Sequence, residues 1–148
     1  MKANIKHIGI ASDHAGFELK KIISLFLEEN GLKVTDFGTH SSESMDYPDV
    51  AHPLANAVEN GITDAGIAIC GSGNGINMTV NKHQGIRAAL CWTPELSKLA
   101  REHNNANILS LPARFISSDS ALEIVRVFIS TDFEGGRHET RVKKIGCR

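Results

Sequence analysis

The chain has 148 residues, 41% hydrophobic and 22% charged, enough for one domain with a sizeable core. Its formal net charge of −1 offers no general attraction to nucleic acid or an anionic membrane. The start, MKANIKHIGIASDH, lacks the apolar core of a signal peptide, and no apolar run approaches the roughly 20 residues that span a bilayer.

Short apolar strands alternate with helical patterns along the chain. Residues 7–11 (HIGIA) read as the first strand. Leu19, Ile22, Ile23, Phe26 and Leu27 then fall at helical spacing, and Asn30-Gly31 closes that helix. Residues 32–37 are predicted as strand, 50–60 as a helix stopped by a second Asn-Gly, 65–69 as strand and 76–82 as a short helix. Residues 86–91 form the fourth predicted strand. Thr93-Pro94 supplies a cap and a first-turn proline for a helix running to about His103. Residues 107–111 are the fifth strand. Ser117 or Ser118 caps a helix that carries Leu122, Ile124, Val125 and Phe128. A basic segment, 137–148, follows the Gly135-Gly136 break.

Five strands each followed by a helix predict an α/β domain of three layers, α/β/α, around a five-stranded parallel sheet. The fold is Rossmann-like, a single domain over 1–148 with right-handed crossovers. Ligands of such sheets bind outside the carboxyl ends of the strands. The residues there are Ser12-Asp13-His14, Gly38-Thr39, Cys70 to Gly75 and Trp92-Thr93, so the polar and glycine-rich positions collect at one edge.

The most informative stretch is 65–81, AGIAICGSGNGINMTVN. Its strand ends in Cys70 and leads into Gly71-Ser72-Gly73-Asn74-Gly75. Glycines at alternate positions suit a sharp turn or a close approach to a ligand, and amides ahead of a helix can cradle negative charge. A thiol there either fills space as a small buried hydrophobe or acts as a base or nucleophile, and amides facing it favour the thiolate. A dinucleotide fingerprint would follow the first strand as GxGxxG, and a P-loop needs GxxxxGK[ST]. A thiol phosphatase would close its loop with arginine, where position 76 holds Ile. An oxyanion hole for an enediolate fits best. Cys91, in a strand with no glycines after it, reads as core, and Cys147 as an exposed bystander near the terminus.

Other candidates have two readings each. Asp13 caps a helix or meets a ligand, and His14 beside it has no evident structural need. His103 and Asn104 end a helix, where the dipole favours an imidazole. His7, His40, His52 and His83 read as surface or satisfied polar residues. Arg137, His138 and Arg141 follow the glycine pair. On a helix Arg137 and Arg141 face one way and suit a phosphate, or they belong to a solvated basic tail. Arg114, after the fifth strand, could join them.

Taken in order, SDHAGFELK, DFGTHSSESMDYPD, ICGSGNGINMTVNKHQGIRAAL, REHNNANILSLPAR and FEGGRHETRV resemble the sugar-phosphate isomerases of the ribose-5-phosphate isomerase B type. That family also contains galactose-6-phosphate and allose-6-phosphate isomerases. The resemblance implies an aldose–ketose isomerase acting on ribose 5-phosphate and ribulose 5-phosphate, in pentose phosphate metabolism or the catabolism of a rare sugar, and three cysteines without a CxxC pair suit a reducing cytoplasm. It implies Cys70 as the base, with Ser72 and the Gly71–Gly75 loop (Gly71, Gly73, Asn74, Gly75) around the enediolate oxygens and His103 assisting ring opening. It further implies Asp13, His14 and Tyr47 as sugar or phosphate neighbours, Asn104 as a substrate contact, and Arg114, Arg137 and Arg141 as phosphate ligands. Members with a glutamate base carry it at the position held here by Ile76, so the chain falls in the cysteine-base group. No metal and no organic cofactor is expected. A homodimer or homotetramer is, with sites shared between chains and residues 137–148 against a partner. A six-carbon phosphate isomerase and a non-catalytic sugar-phosphate binder are the alternatives.

Overall fold

The computed structural model describes residues 4–146. Cys147 therefore lies outside the described residues. The elements run β1 (His7–Ser12), a 3-10 turn (His14–Gly16), α1 (Phe17–Glu29), β2 (Lys33–Asp36), α2 (Pro48–Glu59), β3 (Ala65–Cys70) and α3 (Asn74–Val80). They continue as β4 (Ala88–Leu90), α4 (Pro94–Asn104), β5 (Ile108–Pro112), α5 (Ser118–Ser130) and α6 (Arg137–Lys143). The five strands form one parallel sheet in the order β2-β1-β3-β5-β4. No helix among the described residues is long and apolar enough to cross a membrane.

Side-chain alternation divides the strands between two faces. Ile8, Ile10, Ile67, Ile69, Leu109 and Leu111 form one core with Leu19, Ile23 and Leu27 of α1 and Ile124, Val125 and Phe128 of α5. Ala11, Ala68, Cys70 and Ile108 point the other way, against Val50, Ala51, Leu54 and Val58 of α2 and Ile76 and Val80 of α3. The second face is built of small residues, which lets α2 lie close. A Cβ at Gly9 would stand 2.8 Å from Leu54 Cδ1. Cys70 thus belongs to the thin face, which sets the side from which its sulfur can be approached.

Local chemistry explains where the elements depart from their predicted ends. α2 begins at Pro48, a favoured first-turn proline. α3 starts at Asn74 because Gly73 takes a left-handed conformation (φ 77°) and ends the loop there. β4 is only three residues long. Ile86 N–H bonds back to His83 O and Arg87 N–H to Asn107 Oδ1, while Arg87 O still accepts from the amides of Asn107 and Ile108, so the strand begins only at Ala88. The Thr93 and Ser117 caps form as expected, Thr93 Oγ1 accepting from Leu96 N–H and Ser117 Oγ from Ser120 N–H.

Candidate functional site

The strand order reverses between β1 and β3, and the crevice outside their carboxyl ends is where such a sheet takes a ligand. Asp13 follows β1 and Cys70 closes β3. Asp13 N–H donates to Ile69 O at 3.1 Å, so the two loops leave the sheet side by side. Asp13 Oδ1 accepts from the amides of Ala15 and Gly16, which makes it a cap whatever else it does. His14 has a structural partner that its sequence context did not suggest: its Nδ1 accepts from Met45 N–H at 3.2 Å, pinning the segment that leads to Tyr47.

The loop after Cys70 is held on both flanks. Ala113 N–H donates to Cys70 O and Arg114 N–H to Gly71 O, at 2.9 and 3.0 Å. The Arg114 side chain lies across Gly71, and the Tyr47 ring lies against Gly75 so closely that a Cβ there would overlap it. Ser72 Oγ accepts from Asn74 N–H at 3.2 Å, so that amide is directed at the hydroxyl. Cys70 itself is 4% exposed. A cavity of about 680 Å³ on one side of the loop is lined by Asp13, His14, Arg114 and the 44–49 segment with Tyr47. One of about 410 Å³ on the other side is lined by Ser72, Asn74, Trp92 and Phe115 among others. Asp13, His14, Tyr47, Cys70, the 71–75 loop and Arg114 therefore form one constellation.

His103, Asn104, Arg137 and Arg141 are not part of it. α4 leaves the carboxyl edge at Pro94 and its 11 residues carry the chain about 16 Å to the amino edge of the sheet. There Arg87 donates to the carbonyls of Asn104 and Asn105, and Arg101 to Ala106 O, satisfying the end of α4 with positive charge. Burial pulls both guanidinium groups below their ordinary pKa, and for Arg101 the nearby Arg87 adds to this while Asp132 opposes it. A cavity of about 370 Å³ beside Asn104 is lined by Asn81, Arg87 and Ile145 among others. α6 packs on α4 and presents exposed Arg137 and Arg141, with Arg141 Nη1 donating to Arg137 O. His103 stacks on His138, with ring centroids 4.2 Å apart, beside the Glu134 carboxylate.

Two further groups were not singled out from the sequence. Lys20, 1% exposed, grips both oxygens of Asp36 at 2.6 and 2.7 Å. Asp36, itself exposed, in turn accepts from Gly38 N–H, and Gly38 O takes the amide of Ser12, so the pair formed with buried Lys20 braces the backbone just before Asp13. Glu134 is the other. Its spacing of four from His138 was legible, but the docking of α6 that makes it matter was not.

The sequence profile of the family described as Ribose/Galactose Isomerase matches residues 8–145. The chain is 44% identical to ribose-5-phosphate isomerase B of Escherichia coli (strain K12), over 95% of each chain. Among solved structures it is similar to ribose-5-phosphate isomerase B of Clostridium thermocellum, with TM-score 0.94 and 51% identity over 95% of both chains. It is also similar to the enzyme of Mycoplasma genitalium with bound ribulose-5-phosphate, with TM-score 0.91 and 45% identity over 94% of this chain and 93% of that one.

Proposed function

The chain belongs to the ribose/galactose isomerase family, and we propose that Cys70 is the base with which it moves a proton along a sugar phosphate. The protein is an aldose–ketose isomerase that interconverts D-ribose 5-phosphate and D-ribulose 5-phosphate. The observation that carries the thiol-base reading is the position of Cys70. It ends the central strand β3, at the crevice where the strand order reverses, under a loop clamped by Tyr47 and Arg114.

In this reading the Cys70 thiolate takes the proton from C2 of the open-chain aldose. The C2–H electron pair forms the C1–C2 double bond, and charge passes to O1. Amides of the 71–75 loop and the Ser72 hydroxyl stabilise O1 and O2. A proton then passes from O2 to O1, the O2 carbonyl forms, and the electron pair of the C1–C2 double bond takes the proton back from the thiol at C1, which regenerates the thiolate. His103 prepares the substrate by opening the furanose. A proton leaves O1, the C1–O4 bond breaks, and O4 is protonated. Asp13, His14 and Tyr47 surround the sugar. Asn104 contacts it, and Arg114, Arg137 and Arg141 hold the phosphate, which fixes the reacting carbons at a distance.

His103 and the two α6 arginines stand at the far edge of their own sheet, so a complete site takes them from a second copy of the chain. The functional unit is then a homodimer, or a tetramer built from such dimers, with the 137–148 segment against its partner. Among the described residues the thiols of Cys70 and Cys91 are free and buried, which suits a cytoplasmic setting.

The test is formation of ribulose 5-phosphate from ribose 5-phosphate by wild type and Cys70→Ala, with allose 6-phosphate as a second substrate. Loss of a general base lowers kcat by about 10²–10⁴-fold. Turnover that survives in folded Cys70→Ala would sink the thiol base, and turnover with the six-carbon sugar alone would change the substrate while keeping the mechanism.

A further inference from the structure

We infer that His138 is a positioning residue for His103, acting through the stacked imidazoles at the junction of α4 and α6; this rests on the ring-opening reading of His103 given above. The rings are 4.2 Å apart and inclined by only 11°. His138 is the inner of the two, its side chain 13% exposed against 38% for His103. Glu134 Oε1 stands 3.4 Å from His138 Nε2 and 3.9 Å from His103 Nε2, so the carboxylate anchors the inner ring rather than the outer one.

The backbone makes this arrangement rigid. Glu134 N–H donates to Glu102 O at 3.0 Å, tying the 131–136 loop to the last turn of α4, one residue before His103. Gly135 (φ 70°) and Gly136 (φ 55°) then turn the chain so that α6 returns onto α4, and His138 N–H closes the turn on Gly135 O. An imidazole in the last turn of a helix has several staggered rotamers open to it. Face-to-face contact with a ring that is itself anchored selects one of them, and proton transfer between two sugar oxygens depends on that selection.

Two other uses of the cluster fit less well. The donor atoms of His103, Glu134 and His138 lie within 4.8 Å of one another, as a metal site would require. Nearly parallel ring planes do not meet at a common point, however, and a ligating imidazole holds its metal in its own plane. A phosphate on His138 would sit against the Glu134 carboxylate.

The reaction itself supplies a readout that separates positioning from structure. Ribulose 5-phosphate cannot close a furanose ring, because its C5 oxygen carries the phosphate. Exchange of its C1 hydrogen with D2O therefore needs the base and no ring opening. The experiment compares His138→Ala, His138→Phe and His103→Asn in the full chain, measuring kcat and KM on ribose 5-phosphate and C1 exchange in ribulose 5-phosphate. His138→Ala is expected to lower kcat about tenfold or more with KM within about twofold, and to leave exchange near wild type. His138→Phe, which keeps a flat face, is expected to recover most of kcat. A raised KM with kcat intact would make His138 a phosphate ligand and overturn the proposal. So would equal loss of exchange and turnover, or a His138→Phe variant as impaired as His138→Ala. Impaired His103→Asn beside unimpaired His138→Ala overturns this inference alone, whereas unimpaired His103→Asn overturns the reading of His103 beneath it.

Discussion

Gly75 and Tyr47 form a contact that neither residue announces alone. A Cβ at position 75 would come within 3.0 Å of three atoms of the Tyr47 side chain, so something must move, and a ring at the edge of a cavity gives more easily than the α3 backbone. Gly75→Ala is expected to fold cooperatively, at a cost of about 1–3 kcal/mol, with turnover reduced because Tyr47 is displaced toward Asp13 and His14. Denaturant melts of Gly75→Ala, Tyr47→Ala and the double variant check this. The double variant should be more stable than the two single losses sum to, by about 1 kcal/mol, and strict additivity would refute the contact. The cysteines differ in the same residue-by-residue way. Burial pushes the Cys91 thiol up to about 12, so at pH 8 only about one molecule in 10⁴ carries its thiolate. Iodoacetamide at pH 8 should leave Cys91 unmodified in the native protein and label it after unfolding, as peptide mapping would show. Labelling of native Cys91 at the denatured rate would contradict its placement in the core.

At the scale of elements, the junction between α3 and β4 depends on Glu59 at the end of α2. Glu59 Oε2 accepts from Gly85 N–H at 2.7 Å and Oε1 meets His83 Nδ1 at 3.0 Å, while His83 Nε2 lies 2.7 Å from His52 Nδ1. The Gly85 amide, aided by His83 and opposed by desolvation, holds the carboxyl below its ordinary 4.5. A depressed carboxylate stabilises the fold above the unfolded pKa and loses that contribution as pH falls through the lowered folded value. Glu59→Gln should therefore be less stable than wild type at pH 7. The gap should begin to narrow below pH 4.5 and close on further acidification, which urea melts at pH 7, 5, 4 and 3 would follow; a gap that is constant with pH would mean the carboxylate charge is irrelevant. The loop held this way leads into Arg87, whose side chain closes the end of α4, so α2 bears indirectly on where His103 sits. Little of this was legible. Periodicity, Asn-Gly stops and the Thr93-Pro94 and Ser117 caps located α1, α2, α4 and α5 because those signals are local, whereas α6 read only as a basic segment. The start of β4 needed partners outside its own window: Ile86 opens the run predicted as strand, yet His83 O and Asn107 Oδ1 claim the amides of Ile86 and Arg87. The insertion of β5 between β3 and β4 left no trace in any window of sequence either, since neighbours in a sheet are chosen by packing.

At the scale of the whole molecule, the candidate residues fall into two groups set apart by the length of α4. Asp13, His14, Tyr47, Cys70 to Gly75 and Arg114 occupy the carboxyl edge, and His103, Asn104, Arg137 and Arg141 the amino edge. Strand-end logic located Asp13, His14 and Cys70 to Gly75 from sequence, because a parallel sheet sends all its carboxyl ends one way, whereas Tyr47 came from the resemblance and Arg114 was grouped with the α6 arginines. In the second group the spacing of Arg137 and Arg141 already suited a phosphate, but only the resemblance joined them and His103 to the thiol, since the end of a helix and a short basic segment give no reason of their own to meet it. If two copies exchange these edges, Cys70→Ala and His103→Asn damage different halves of one site and can complement each other. Random reassortment of equal amounts makes about half of the dimers mixed, each with one intact site of two, so about a quarter of wild-type turnover should return. The measurement is ribulose 5-phosphate formation after the two inactive proteins are unfolded together and refolded, against each refolded alone. A mixture no more active than its components would place both halves of the chemistry within one chain. That would require α4 and α6 to leave the positions they hold here, against the arginine-closed end of α4 and the His103–His138 stack that fix them.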